Sequence, residues 1–153
     1  MGCVKAKACL PSQARDLYVS TLFRSRRLYV EESCDEWWIL SAEHGLVHPN
    51  QILKPYDLAM RQLSADMRRE WSAKVLQSLQ YKCGIAKGDI VEIHAGDEYR
   101  NFGLIDGLLE IKAIIEIPVQ GMRFGHQLNF YKTARLRDSN KNSTSGQGTD
   151  HLL

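Results

Sequence analysis

Apolar positions along this chain recur with two periods, and the switches between them divide it into alternating strands and helices. Residues 1–5 predict a short first strand. Residues 13–33 predict a helix with Leu17, Leu22, Phe23 and Leu28 on its apolar face and a break near Ser20. Trp37, Trp38, Ile39 and Leu40 form a bounded apolar run of strand length. Gly45, Pro49 and Pro55 then make an irregular segment, too rich in breakers for a regular element. The clearest helix covers about 64–82, where Leu63, Met67, Trp71, Val75 and Leu79 recur every fourth residue and Gly84 stands where a C-terminal cap belongs. Residues 89–95 (DIVEIHA) predict a strand, and the stretch to Leu109 a helix with Tyr99, Phe102, Ile105 and Leu109 inward. Residues 112–117 (KAIIEI) and 125–136 predict a last strand and a last helix. From Arg137 the chain is polar, which predicts a disordered tail over 137–153.

Strand–helix alternation of this kind predicts a single α/β domain over residues 1–136, a three-layer sandwich around a four-stranded, largely parallel sheet, because parallel neighbours need helical crossovers. Three of the four strands are near-continuous apolar runs, as expected when both sheet faces are covered. Ligands of such sheets bind beyond the carboxyl ends of the strands. Directly after the four strands come Lys5 and Lys7, then Ser41 to Leu46 with Pro55, Tyr56 and Asp57 following, then Gly96 to Arg100, then Pro118 to Gln127.

Composition bounds the picture. The 153 residues are 44% hydrophobic and 25% charged, enough to bury one core. The net charge of +2 argues against binding nucleic acid over the whole surface. The charge is segregated, however. Six basic residues lie in 1–30 against Asp16 alone, Glu31, Glu32, Asp35, Glu36 and Glu43 follow with no Lys or Arg before Lys54, and the stretch 118–141 is basic again. The basic segments either meet in one patch or form solvated helix faces. Cys3, Cys9, Cys34 and Cys83 show neither a C-x-x-C pair nor zinc-site spacing, and no apolar run approaches a membrane span. The expectation is a cytoplasmic protein with reduced thiols, no metal site and no cofactor.

Each strand exit offers chemistry. His44 can donate to a developing anion or act as an acid, and Gly45 supplies a tight turn. Asp57 can activate water, stabilise a cation or cap a helix. Ser41, Tyr56, Tyr99 and Phe124 are polar or stacking contacts at the same edge, and Lys5, Arg100, Arg123 and Gln127 are candidates for phosphate or base edges. Gly121-x-x-x-Gly125 lacks the Gly-Lys-Ser/Thr of a P-loop, but it brings backbone amides to a helix start. Asp97, just after Gly96, reads first as a helix cap.

Cys3-Val-Lys5, Ala14-x-Asp16-Leu17-Tyr18, Ile39-Leu40-Ser41-Ala42-Glu43-His44-Gly45-Leu46, Pro55-Tyr56-Asp57-Leu58, Ala95-Gly96-x-x-Tyr99-Arg100 and Gly121-x-x-x-Gly125-x-Gln127 together resemble an uncharacterised bacterial and phage domain family similar to the peroxide-stress protein YaaA. The resemblance covers residues 3 to about 131. It implies a uracil-DNA-glycosylase-like core, an association with DNA and oxidative damage, and distant relatives that excise modified bases. The chain departs from that group in its shorter length, in lacking the inserted helical element, and in carrying His44 where an aromatic residue is usual.

Residues and resemblance together predict a glycosylase-like hydrolase of N-glycosidic bonds acting on a modified or damaged base, with DNA or a nucleotide as partner and no membrane. Such a reaction passes through an oxocarbenium-like sugar and an anionic leaving base. Asp57 is assigned to the first and His44 to the second, with Tyr56 or Phe124 stacking on the base. Two alternatives stand beside it, a non-catalytic DNA-binding protein and a small nucleotide- or nucleoside-processing enzyme.

Overall fold

The computed structural model describes residues 1–2 and 6–144, with side chains described through residue 135. Cys3, Lys5 and the tail beyond Thr144 lie outside the described residues. The elements run β1 (Ser12–Gln13), α1 (Ala14–Leu17), α2 (Thr21–Ser33), β2 (Ile39–Ser41), β3 (Gly45–Val47), β4 (Ile52–Leu53), a 3-10 turn (Met60–Gln62), α3 (Ala65–Ser78), a π-helical turn (Leu79–Cys83), β5 (Ile90–Glu92), α4 (Asp97–Arg100), α5 (Leu104–Glu110), β6 (Ile114–Glu116) and α6 (Phe124–Thr144).

The helix boundaries follow local chemistry. α1 stops at an extended Tyr18, and Ser20 caps α2 by accepting from the Phe23 amide at 3.1 Å. Ser64 does the same for α3 at Met67, and Gly84, at φ +63°, closes the π-helical turn that continues it. Along α3 only Trp71 and Val75 of the four-residue row are buried, while Met67 is 52% exposed. A row spaced by four advances past a full turn at each step, so its ends swing off the buried face. The predicted helix after β5 is broken at Asn101–Gly103, where Gly103 takes φ +105°. The break resets the apolar face to Leu104 and Leu108 and leaves Leu109 56% exposed. Gly107 lets α5 lie directly on α3, since a Cβ there would overlap Leu76. The last helix does not stop at 136 as expected but continues to Thr144.

The four-stranded parallel sheet is corrected by the observed ladders. The chain is a mixed α/β fold whose strands form three two-stranded sheets, β1 with β4 and β2 with β3 antiparallel, and β5 with β6 parallel. The cause is strand length. None of these strands exceeds three residues, and the segment expected to be irregular instead turns back on β2 as a hairpin, pairing Ser41 with Gly45 at φ +69°. Single hydrogen bonds stitch the pieces together. The Leu40 amide donates to the Met1 carbonyl, the Gly2 amide to the His94 carbonyl, and the Ile93 amide to the Glu116 carbonyl.

Alternation along β2 and β3 divides the core. Ile39 and Val47 belong to one apolar cluster with Tyr18, Phe23, Val30 and Tyr131, which come from α2, α6 and the chain before α2. Leu40 and Leu46 belong to a second with Trp71, Val75, Leu104 and Leu108 from α3 and α5. Helices therefore cover both sides of this hairpin.

Candidate functional site

The strand exits gather at one edge. The indole of Trp71 donates to the Ser41 carbonyl at the end of β2 (2.8 Å) and packs edge-on against Tyr99, which follows β5, with ring centroids 5.6 Å apart. Since β6 runs parallel to β5, the loop after β6 leaves from that edge too.

Ser41 organises the first part of the site. Fully buried, its hydroxyl accepts from the His44 amide at 3.0 Å and donates to the Tyr56 hydroxyl at 2.7 Å, and a further 2.7 Å hydrogen bond joins Tyr56 to Tyr18. The exposed His44 ring stands edge-on to the Tyr56 ring, 5.0 Å between centroids. The Lys7 ammonium lies over the same ring, 4.3 Å from its centroid. Of the predicted residues, Ser41, His44, Gly45 and Tyr56 are thus brought together, with Asp57 exposed beside Tyr56. Lys7, rather than the undescribed Lys5, is the basic residue seen at this ring.

Other predicted contacts are engaged in the protein itself. Tyr99 is buried against Trp71, and the buried Arg100 pairs with Asp97. Asp97 is therefore held as the first residue of α4. Gln127 accepts from Arg26 at 2.8 Å and donates to the Met122 carbonyl at 2.8 Å, tying α6 to α2 and to the loop before it. Arg123 and Phe124 at the start of α6 are exposed. Three arginines of the basic segments pair with acidic neighbours. Arg27 pairs with Asp16 and Glu31, Arg15 with Glu31, and Arg135 with Glu32. Hydrogen bonding to Arg135 holds the Glu32 carboxyl below its ordinary range.

A second constellation, missed at the sequence level, lies in the core behind this edge. His94 is 1% exposed and places Nδ1 2.9 Å from the Tyr131 hydroxyl and Nε2 2.9 Å from Glu92. The hydrogen bond to His94 keeps the Glu92 carboxyl below its ordinary range, so Glu92 accepts, His94 carries its proton on Nε2, and Nδ1 accepts from Tyr131. Burial lowers the His94 pKa, opposed by its bond to Glu92, and pushes Tyr131 up to about 12. The signal for this group was Glu92-x-His94, two residues apart in an apolar strand and hence on one face. Arg26, buried beside Tyr131, gave none, because it sits in a run of basic residues.

Glu92 and His94 also line an open groove of about 620 Å³ together with Asp35, Glu36, Asp89 and Glu116. Its character is acidic, the reverse of what a phosphate-bearing ligand needs. Cys83, also in the groove, is pushed up to about 11 by burial and by the Glu36 charge. Cys9, Cys34 and Cys83 are free thiols, and among the described residues no helix is long and apolar enough to cross a membrane.

The model of a family of unknown function, DUF6884, matches residues 1–133. No curated protein and no solved structure matches the chain.

Proposed function

We propose, for a chain that belongs to the DUF6884 family, that the strand-exit site hydrolyses an N-glycosidic bond, with a modified or damaged base in DNA or in a nucleotide as the substrate. The observation that carries this reading is the meeting of His44 and Lys7 on the Tyr56 ring, with the buried Ser41 hydroxyl bonding both the His44 amide and the Tyr56 hydroxyl. An exposed imidazole held against an aromatic ring offers a proton donor beside a surface on which a base can stack. In the reaction water adds to the sugar C1′ and the C1′–N bond breaks. Asp57 takes the water proton or faces the oxocarbenium, and His44 donates a proton to the departing base.

The resemblance of Ser41–Leu58 to the YaaA-like pattern supports the same reading. Base release from single-stranded oligonucleotides and from nucleotides carrying modified bases tests it. Release is expected to fall at least about 100-fold in His44→Ala and in Asp57→Ala. Equal release in all three proteins, or none from the wild type, overturns it.

A non-catalytic DNA-binding protein is the second reading, favoured by the exposure of Arg123 and Phe124. Salt-dependent DNA binding that survives both alanine changes, without base release, would select it.

A further inference from the structure

Among the described residues Arg26 is a buried charge with no counterion. Its side chain is 8% exposed and comes from α2, yet among the described residues it makes no ion pair. One guanidinium nitrogen donates to the Gln127 amide oxygen, the charge lies beside the Tyr131 hydroxyl, and Nε has no partner. Both neighbours are neutral. The carboxylate of this cluster, Glu92, bonds His94 instead and is separated from Tyr131, the neighbour of Arg26, by two hydrogen bonds. A buried cation without an anion is costly, and proteins keep one where something supplies the missing charge.

The surroundings of Arg26 say what that is. Gln127 belongs to the first turn of α6, a 21-residue helix whose leading amides have no carbonyl four residues back and whose dipole favours an anion. The surface at the start of α6 is open. A Cβ added at Gly121 or at Gly125 would meet nothing within 4 Å, and Arg123 stands exposed between them. Gln127 fixes the geometry by holding Arg26 with its oxygen and the Met122 carbonyl with its nitrogen.

We propose that Arg26 and the first turn of α6 form an anion site that takes a terminal phosphate group. A phosphodiester carries a chain on both sides and does not reach a guanidinium buried this deeply, whereas a phosphomonoester presents three oxygens on one stalk. The inference deepens the N-glycosidase reading and rests on it for the nucleoside half of the ligand. It makes the substrate a nucleoside monophosphate or a 5′-phosphorylated end rather than an internal base of a long strand.

Calorimetric and thermal-shift titration of the full chain with inorganic phosphate, a nucleoside monophosphate and an unphosphorylated oligonucleotide at matched ionic strength tests this. The wild type is expected to bind the first two with a rise in Tm and not to gain from the third. Arg26→Met is expected to bind at least about 30-fold more weakly, with Arg26→Lys between the two. Gln127→Glu supplies an internal carboxylate, so it is expected to lose phosphate binding while still unfolding cooperatively, which separates loss of the site from loss of the fold. No phosphate-specific shift in the wild type, or equal shifts in wild type and Arg26→Met, overturns the proposal. Phosphate binding that persists while base release proves absent would leave the anion site standing and remove the N-glycosidase reading alone.

Discussion

His44 and His94 each lie just past the end of a β-strand and each meets a tyrosine, but the first is exposed and the second is 1% exposed. Among the described residues His44 touches Tyr56 through ring packing, with no hydrogen bond at either ring nitrogen. His94 has both nitrogens committed, one to Glu92 and one to Tyr131. The same side chain is therefore presented to solvent in one place and tied into the core in the other. What separates them is the strand after which they stand. β2 ends in a hairpin turn at the surface, whereas the chain after β5 continues inward, hydrogen-bonded through the His94 carbonyl to Gly2 and through the Ile93 amide to Glu116.

Removing each ring should expose the contrast most strongly. His94→Ala empties a buried site and leaves the Tyr131 hydroxyl and the half-buried Glu92 carboxylate without their ring partner, so it is expected to cost about 3 kcal/mol in chemical denaturation, while His44→Ala should stay within about 0.5 kcal/mol. Equal losses would erase the distinction between the two sites.

Acid should sharpen it. The folded-state pKa of His94 is lowered by burial, so the unfolded chain binds the proton more readily. The stability this group contributes is complete above its unfolded value near 6.5 and is lost as pH falls below it, at up to about 1.4 kcal/mol per pH unit. Glu92 faces it with a depressed pKa and adds a loss of the same sign at lower pH, while Arg26 and the Met1 ammonium oppose its protonation. A His94→Gln variant is expected to flatten the slope just below pH 6.5 in urea titrations, and an unchanged slope would assign the acid sensitivity elsewhere.

The smallest effect belongs to the strand-exit site. Tyr56→Phe removes a hydroxyl that bonds both Ser41 and Tyr18 but keeps the ring under Lys7 and beside His44. About 1 kcal/mol of stability should be lost, with ligand stacking retained, as measured by denaturation and by quenching on nucleotide addition. A loss of several kcal/mol would mean that this hydroxyl chain belongs to the core rather than to the site.

Legibility in the sequence follows the range of the forces involved. Ser20 and Gly84 mark helix ends because caps are local, and both act there in the structure. The pairing of β2 with β3 was hidden because Gly45, Leu46 and Val47 make a strand only when Ile39 and Leu40 lie opposite them. The continuous parallel sheet was over-read from alternation of elements, which says nothing about how many residues each strand lends to a ladder. At the site, His44 and Tyr56 were legible from their place after a strand. Arg26, His94 and Tyr131 were not, since burial depends on which helices arrive from far along the chain.

The two apolar clusters differ in when a growing chain can close them. The cluster of Leu40, Trp71, Val75, Leu104 and Leu108 draws on the middle of the sequence and is complete in composition once α5 has emerged. The other joins Tyr18, Phe23 and Val30 to Tyr131, and the Glu32 carboxylate there waits for Arg135, 103 positions later. During synthesis α2 therefore lacks the α6 side of its apolar cover until the last helix is made, which leaves that face open to aggregation longer than the other cluster.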